Sequence, residues 1–116
     1  ALKNSQKRLD LAQKALNGQD AKRFHAEIAA ALSAALEARL GENVTGLTQP
    51  QLQRLLKERG MPPLLTAQLS HVLTHCDFAR FSSASVSSAD MQHLQTQAER
   101  LWSEVASFQP GMKESA

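Results

Sequence analysis

A chain of 116 residues with formal net charge +2, 42% hydrophobic and only 4% aromatic residues has the size of one hydrophobic core, and two domains are not expected. With no Tyr, one Trp and four Phe, that core must be built mainly from Leu and Ala, which favours helix over strand. A single Cys excludes an internal disulfide and makes a reducing compartment the expectation; no apolar run approaches the ~20 residues of a membrane span, and the start lacks the apolar stretch of a signal peptide.

Charge is unevenly spread. Residues 1–23 carry Lys3, Lys7, Arg8, Lys14, Lys22 and Arg23 against Asp10 and Asp20, a net +4 that leaves −2 for the rest. The chain starts in mid-pattern without Met, as a piece of a longer protein would.

A first helix is predicted over 2–17, with Leu9, Ala12 and Leu16 on one stripe and Lys3, Lys7, Asp10 and Lys14 on another face. Gly18 is its expected stop. Asp20 then caps a second helix over 21–40, where Phe24, Ile28, Leu32, Leu36 and Leu40 recur every four residues beside Ala31 and Ala35. Its many further alanines leave room for neighbouring backbones on more than one side, as at the centre of a bundle, and Gly41 ends it.

After the polar "GENVTG" come dense helix-start signals: Thr48 as cap, Gln51 completing a capping box, Pro50 in the first turn, and Leu47 placed to staple onto Leu52. The third helix is predicted over about 49–59, burying Leu52, Leu55 and Leu56, with Gly60 closing it. A fourth follows the break "GMPP" over about 63–77, with Leu65, Leu69, Val72, Leu73 and Cys76 on one face. The Ser-rich stretch 82–88 is a connection. Beyond it Ser87 caps a fifth helix over 88–108, with Val86 stapling to Met91 and a seam of Met91, Leu94, Ala98, Leu101, Val105 and Phe108. Pro110 and Gly111 stop it, so residues 1–109 form one helical domain and 110–116 a loose tail. The predicted fold is an all-α five-helix bundle with helix 2 central, a tight pair at about 49–59 and 63–77, and helix 5 laid across that pair.

The segment "THCDFARF", residues 74–81, is where chemistry would first be sought. His71, His75 and Cys76 are metal-ligating types, but the two histidines point away from the stripe that carries Cys76, and His25 and His93 stand alone in other helices; a closed site takes four ligands. As a nucleophile, Cys76 would sit near a helix C-terminus, whose dipole disfavours a thiolate, so the residue is expected in the core. No catalytic residue, cofactor or metal is therefore expected. The helix pair around "RGMPP" could be a helix-turn-helix, yet its second helix, "PLLTAQLSHVLTHCDF", has no Lys or Arg, and a calcium-hand loop is missing. Arg80 and Phe81 remain as a structural joint or a partner contact, Arg80 being suited to helix-end carbonyls. The face of Lys3, Lys7 and Lys14 is first a solvated face.

Taken in order, "AQKALNGQDAKRFHAEIAAALSAALEARLG", "LTQPQLQRLLKERGMPPLLTAQLSHVLTHCDFARFSS" and the closing helix resemble the C-terminal soluble domain of the BatD (oxygen tolerance, aerotolerance operon) family of bacterial membrane proteins. The matching pieces are the Ala- and Lys-rich helix ending in Gly18-Gln19-Asp20, Phe24 four residues later, the run from Leu47 to Gly60, and Cys76 to Phe81; together they span about residues 9–106. The chain departs from the family at residues 34–36, where an aromatic is common, and at Ser82 and Ser83, where Ala-Pro is common. The resemblance implies a protein with an extracytoplasmic β-sandwich region, one membrane span outside this stretch, and this domain on the cytoplasmic side of the bacterial inner membrane. It implies MoxR-type AAA+ ATPase and von Willebrand factor A domain proteins as partners, and carries no catalytic residues. Lys3, Lys7 and Lys14 would then form a basic juxtamembrane face, since Lys and Arg gather on the cytoplasmic side of a span. The expectation is a non-enzymatic protein–protein interaction domain, with a helical nucleic-acid-binding domain as the second reading.

Overall fold

The computed structural model describes residues 2–80 and 87–109, and these hold five helices and no strand. They are α1 (Leu2–Asn17), α2 (Ala21–Leu40), α3 (Gln49–Glu58), α4 (Pro63–Arg80) and α5 (Ser88–Ser107). The fold is the all-α five-helix bundle that the Leu and Ala periodicity predicts, and none of the described helices is long and apolar enough to cross a membrane. Val86, Phe81, most of the Ser-rich stretch, and the stop and tail at 110–116 lie outside the described residues.

The starts of α2, α3 and α5 use the side chains foreseen for them. Asp20 accepts the Arg23 N–H at 3.2 Å, and Ser87 accepts the Asp90 N–H at 3.1 Å. At α3 the capping box is complete: Thr48 Oγ1 accepts the Gln51 N–H at 3.3 Å while Gln51 Oε1 accepts the Thr48 N–H at 2.9 Å, which satisfies two donors that a helix start leaves orphaned.

The ends of α1, α2 and α3 fall within a residue of their predicted positions, with one shift in the stop of α1. Gly60 closes α3 with φ 86°, its N–H reaching the Lys57 carbonyl and the Met61 N–H reaching the Leu56 carbonyl, each at 3.0 Å. The same pair of bonds closes α1, but one residue later than Gly18. Gln19 takes the left-handed conformation, φ 58°, with Gln19 N–H on the Leu16 carbonyl at 3.0 Å and Asp20 N–H on the Ala15 carbonyl at 2.8 Å. The left-handed residue of this motif directly precedes the residue making the six-to-one bond, and that residue is Asp20, already fixed as the cap of α2. Gly18 is left inside the helical bonding, its N–H on the Lys14 carbonyl at 3.0 Å. At the other predicted stop, Gly41 caps α2 at φ 72°.

α2 is central: it packs against α1, α4 and α5, and its Phe24, Ile28, Ala31, Leu32, Ala35 and Leu36 are fully buried. Burying one such large side chain contributes about 1.5–3 kcal/mol; cutting Leu32 to Ala would cost about 2–5 kcal/mol once the cavity is counted. One cluster of buried side chains runs from Leu9 in α1 to Val105 in α5 through all five helices. α3 packs on α4, as the tight pair requires, but α5 lies against α2, α1 and α4 and not across the α3–α4 pair. Gln95, buried in the seam of α5, joins it to α1 by donating Nε2 to the Leu9 carbonyl at 3.3 Å.

Long-range polar bonds then fix what packing leaves free. Trp102 Nε1–H donates to Ser5 Oγ at 2.7 Å, and that buried hydroxyl donates to the Leu2 carbonyl at 2.8 Å, joining α5 to α1. Arg39 donates through Nε (3.0 Å) and Nη2 (2.6 Å) to the carbonyl of Phe108, holding the end of α5 on α2. Glu37 accepts from Val44 N–H and Thr45 Oγ1, both at 2.9 Å, while Arg59 pairs with Glu42 and donates to the Leu40 carbonyl, so the polar loop 41–48 is tied from both sides.

Candidate functional site

The "THCDFARF" segment is helical through residue 80, so α4 runs three residues beyond its predicted end. Nothing in Asp77-Phe78-Ala79 breaks a helix, and no Gly or Pro follows before residue 81. Cys76 is fully buried with Leu69, Val72 and Leu73, the core position its stripe predicts. Arg80 is the last residue of α4, and Phe81 lies outside the described residues.

His71 and His75 are exposed, as their place on the helix predicts. His25, however, does not stand alone. The bundle brings its ring to 5.6 Å from the His75 ring, edge-on, and the Phe24 ring lies at 5.1 Å. Buried at this contact, the His25 Nδ1–H donates to the Ala21 carbonyl at 2.7 Å. Burial holds its pKa below 6.5; the Ala21 carbonyl opposes that shift and His75 adds to it. Two imidazoles make an unfinished ligand set, and among the described residues no three His, Cys, Asp or Glu side chains gather as a metal would need.

Lys3, Lys7 and Lys14 are exposed along α1, while Arg8, at the edge of the same helix, turns to α2 and pairs with Glu27 at 3.1 Å. The Glu27 side chain is 10% exposed against 50% for Arg8, so the pair serves chiefly to satisfy a carboxylate enclosed between α1 and α2. Beside it the half-exposed Ala29, Ala30, Ser33 and Ala34 of α2 floor a shallow trough reaching to Leu52 and Asp77. The alanines do make room for neighbours, but on this side the room is only partly filled.

The most distinctive surface lies on the opposite flank of α4. Its two large exposed apolar side chains, Leu64 (70% exposed) and Phe78 (75%), belong to a second stripe with Ala67, His71 and Thr74, all exposed. These five follow one another at intervals of three, four, three and four, the spacing that places residues along one helix face. Between this stripe and α3 runs a groove of about 640 Å³, bordered by Gln53 and Lys57 of α3, Met61, and Thr66, Ala67 and Ser70 of α4. Its α3 wall is held by Gln53 Nε2 donating to Ser70 Oγ at 2.7 Å and Ser70 Oγ donating to Gln49 Oε1 at 3.0 Å. Thr66 Oγ1 is enclosed in the groove and forms no hydrogen bond among the described residues.

Sequence reasoning passes over this face because α4 carries two stripes, and the stronger, Leu65 to Cys76, takes the attention. The available signal was the three-four spacing of Leu64 and Phe78 in a helix without a cation before Arg80. Comparisons of the chain with protein-family models, with curated proteins and with solved structures yield no match.

Proposed function

We propose that the chain is a non-enzymatic protein–protein interaction domain, the cytoplasmic part of a membrane-anchored bacterial protein of the BatD-like, oxygen-tolerance kind, and that the outer face of α4 is its contact surface. The observation that carries this reading is the exposure of Leu64 and Phe78 on one uncharged stripe beside a groove. Contiguous apolar surface in water is unfavourable by about 25 cal/mol per Å² and marks an interaction site when it is gathered on one face. The resemblance supplies the partner classes, MoxR-type AAA+ ATPases and von Willebrand factor A domain proteins. In that topology Lys3, Lys7 and Lys14 face the anionic surface next to a span that lies outside this stretch, where each exposed cation contributes about 1 kcal/mol of attraction. Arg80 and Phe81 remain candidates for a partner contact in this reading.

Nucleic acid is the weaker alternative: of the residues bordering the groove only Lys57 bears a permanent positive charge, and phosphate anchoring needs several. The test is capture of a MoxR-type ATPase or a von Willebrand factor A protein by the purified chain, compared with a Leu64→Glu/Phe78→Lys double variant. Capture lost in the double variant, with its helicity retained, supports the face. Undiminished capture removes the face from the proposal, and failure of wild-type chain and full-length protein alike removes the partners. A DNA or RNA affinity that falls steeply with salt would favour the alternative.

A further inference from the structure

In the sequence His25 belongs to a different helix from His71 and His75; in the bundle α2 and α4 set the His25 and His75 rings 5.6 Å apart. Two imidazoles sharing one ion through nitrogens about 2.0–2.1 Å from it have their ring centres about 5–6 Å apart. The observed spacing is therefore one that a single ion bridges. His25 is also held as a metal-ligating histidine is held. Its Nδ1–H donates to the Ala21 carbonyl at 2.7 Å, which fixes tautomer and ring orientation and leaves the lone pair on Nε2. We propose that His25 and His75 bind one divalent transition-metal ion, of the copper or zinc class, across the contact of α2 with α4.

Among the described residues no third His, Cys, Asp or Glu gathers beside the pair, so the site is an open one whose remaining positions go to water. Imidazole nitrogen suits copper, nickel and zinc, whereas magnesium and calcium take oxygen ligands. The exposed His75 gives the ion access from solvent, and the buried His25 ties it to the central helix. An ion held by both links two helices that only the folded chain brings together, and so stabilises that fold. His71, four residues before His75, shares a helix face with it and is the competing ligand: an ion on His71 and His75 would lie on the surface of α4 alone. The inference is independent of what contacts the outer face of α4.

Titration of the purified chain with Cu²⁺ and with Zn²⁺, followed by calorimetry at neutral pH, tests it. A single ion per chain is expected, Cu²⁺ bound more tightly than Zn²⁺, with no response to Mg²⁺ and a urea midpoint that rises with added ion. His75→Ala, at an exposed position, and His25→Asn should each weaken binding by about tenfold or more, while His71→Ala leaves it unchanged. Wild type that binds neither ion overturns the inference, as does binding that survives His75→Ala. Weakening in His71→Ala and His75→Ala but not in His25→Asn puts the ion on α4 alone and refutes the site. Should His25→Asn fail to fold, the wild-type imidazole NMR signals decide: Cu²⁺ should broaden those of His25 and His75 together, and a His25 signal that stays sharp at saturation refutes the proposal.

Discussion

Gln95→Met should make the protein more stable, although it deletes two hydrogen bonds. Gln95 is 1% exposed between α5 and α1. Its Nε2 donates to the Leu9 carbonyl at 3.3 Å and to Glu99 Oε2 at 2.8 Å. Those two acceptors fix the amide orientation, since the flipped amide would face oxygen with oxygen. The consequence falls on Oε1, which is buried without a partner among the described residues. A buried polar atom left unsatisfied costs about 1–3 kcal/mol. On the other side, the bond to Leu9 is long and that carbonyl also lies within the bonding pattern of α1, so losing it costs about 0.5 kcal/mol. Glu99 is exposed and returns to water, so its bond is discounted to about 0.5 kcal/mol. Met has nearly the same length and fills the same space with apolar atoms. The balance is a gain of about 0–2 kcal/mol, with a centre of about 1 kcal/mol or about 4 °C in Tm for a domain of this size. Urea denaturation followed by the fluorescence of Trp102, the chain's one Trp, measures it: the midpoint should rise with the slope unchanged. A loss of more than about 1 kcal/mol would refute the reasoning and show the amide to be fully satisfied.

Other outcomes follow from the same geometry. Gln19→Gly should stabilise by about 0.5–1 kcal/mol, because the left-handed conformation at φ 58° strains every side chain that is not glycine; a destabilised variant would show that the Gln19 side chain contributes a compensating contact. Arg8→Ala should cost about 1–2 kcal/mol by leaving the enclosed Glu27 unpaired, and adding Glu27→Leu should restore most of that loss, whereas additive losses in denaturation would rule out the pairing argument. Cys76→Ala should lower stability by about 1–2 kcal/mol as a core truncation and leave partner capture intact; lost capture at full stability would contradict its core role. For His25, folding favours the neutral ring: above 6.5 both states are neutral, and as pH falls below it the unfolded chain takes up a proton that the folded chain resists, so stability declines until the lowered folded pKa is reached. His25→Asn should flatten the fall in urea midpoint between pH 7.5 and pH 5, and an unaltered slope would assign the acid sensitivity elsewhere.

Local physics made much of the architecture readable. The cap at Asp20, the box of Thr48 with Gln51 and the cap at Ser87 each involve groups three residues apart, and the core stripes of α2 and α5 repeat with the helix itself, so neither needs knowledge of a neighbouring helix. α1 ends at Asn17 as predicted, but its left-handed stop falls on Gln19 and not Gly18, because two motifs share Asp20 and the second sets the position of the first. The end of α4 was misplaced because a change in composition was taken for a break where no breaker stands. At the candidate site, exposure of His71 and burial of Cys76 were legible from one helix, but the exposed α4 face was not: whether Leu64 and Phe78 are covered depends on where α2, α3 and α5 lie around α4.

What the sequence determined by itself, then, is the set of helices, their starts and the apolar stripe each must bury, because these rest on interactions within a few residues. Only the tertiary structure decided which polar groups are enclosed. Ser5, His25, Glu27 and Gln95 look like surface residues in the chain and are buried in the bundle, each held by a group on a neighbouring helix or turn: Trp102 for Ser5, the Ala21 carbonyl for His25, Arg8 for Glu27 and the Leu9 carbonyl for Gln95. A polar side chain can be enclosed only where a partner meets it, and three of these four partners lie on another helix, brought into reach by the packing alone. Among the described residues the same packing leaves Leu64 and Phe78 of α4 exposed.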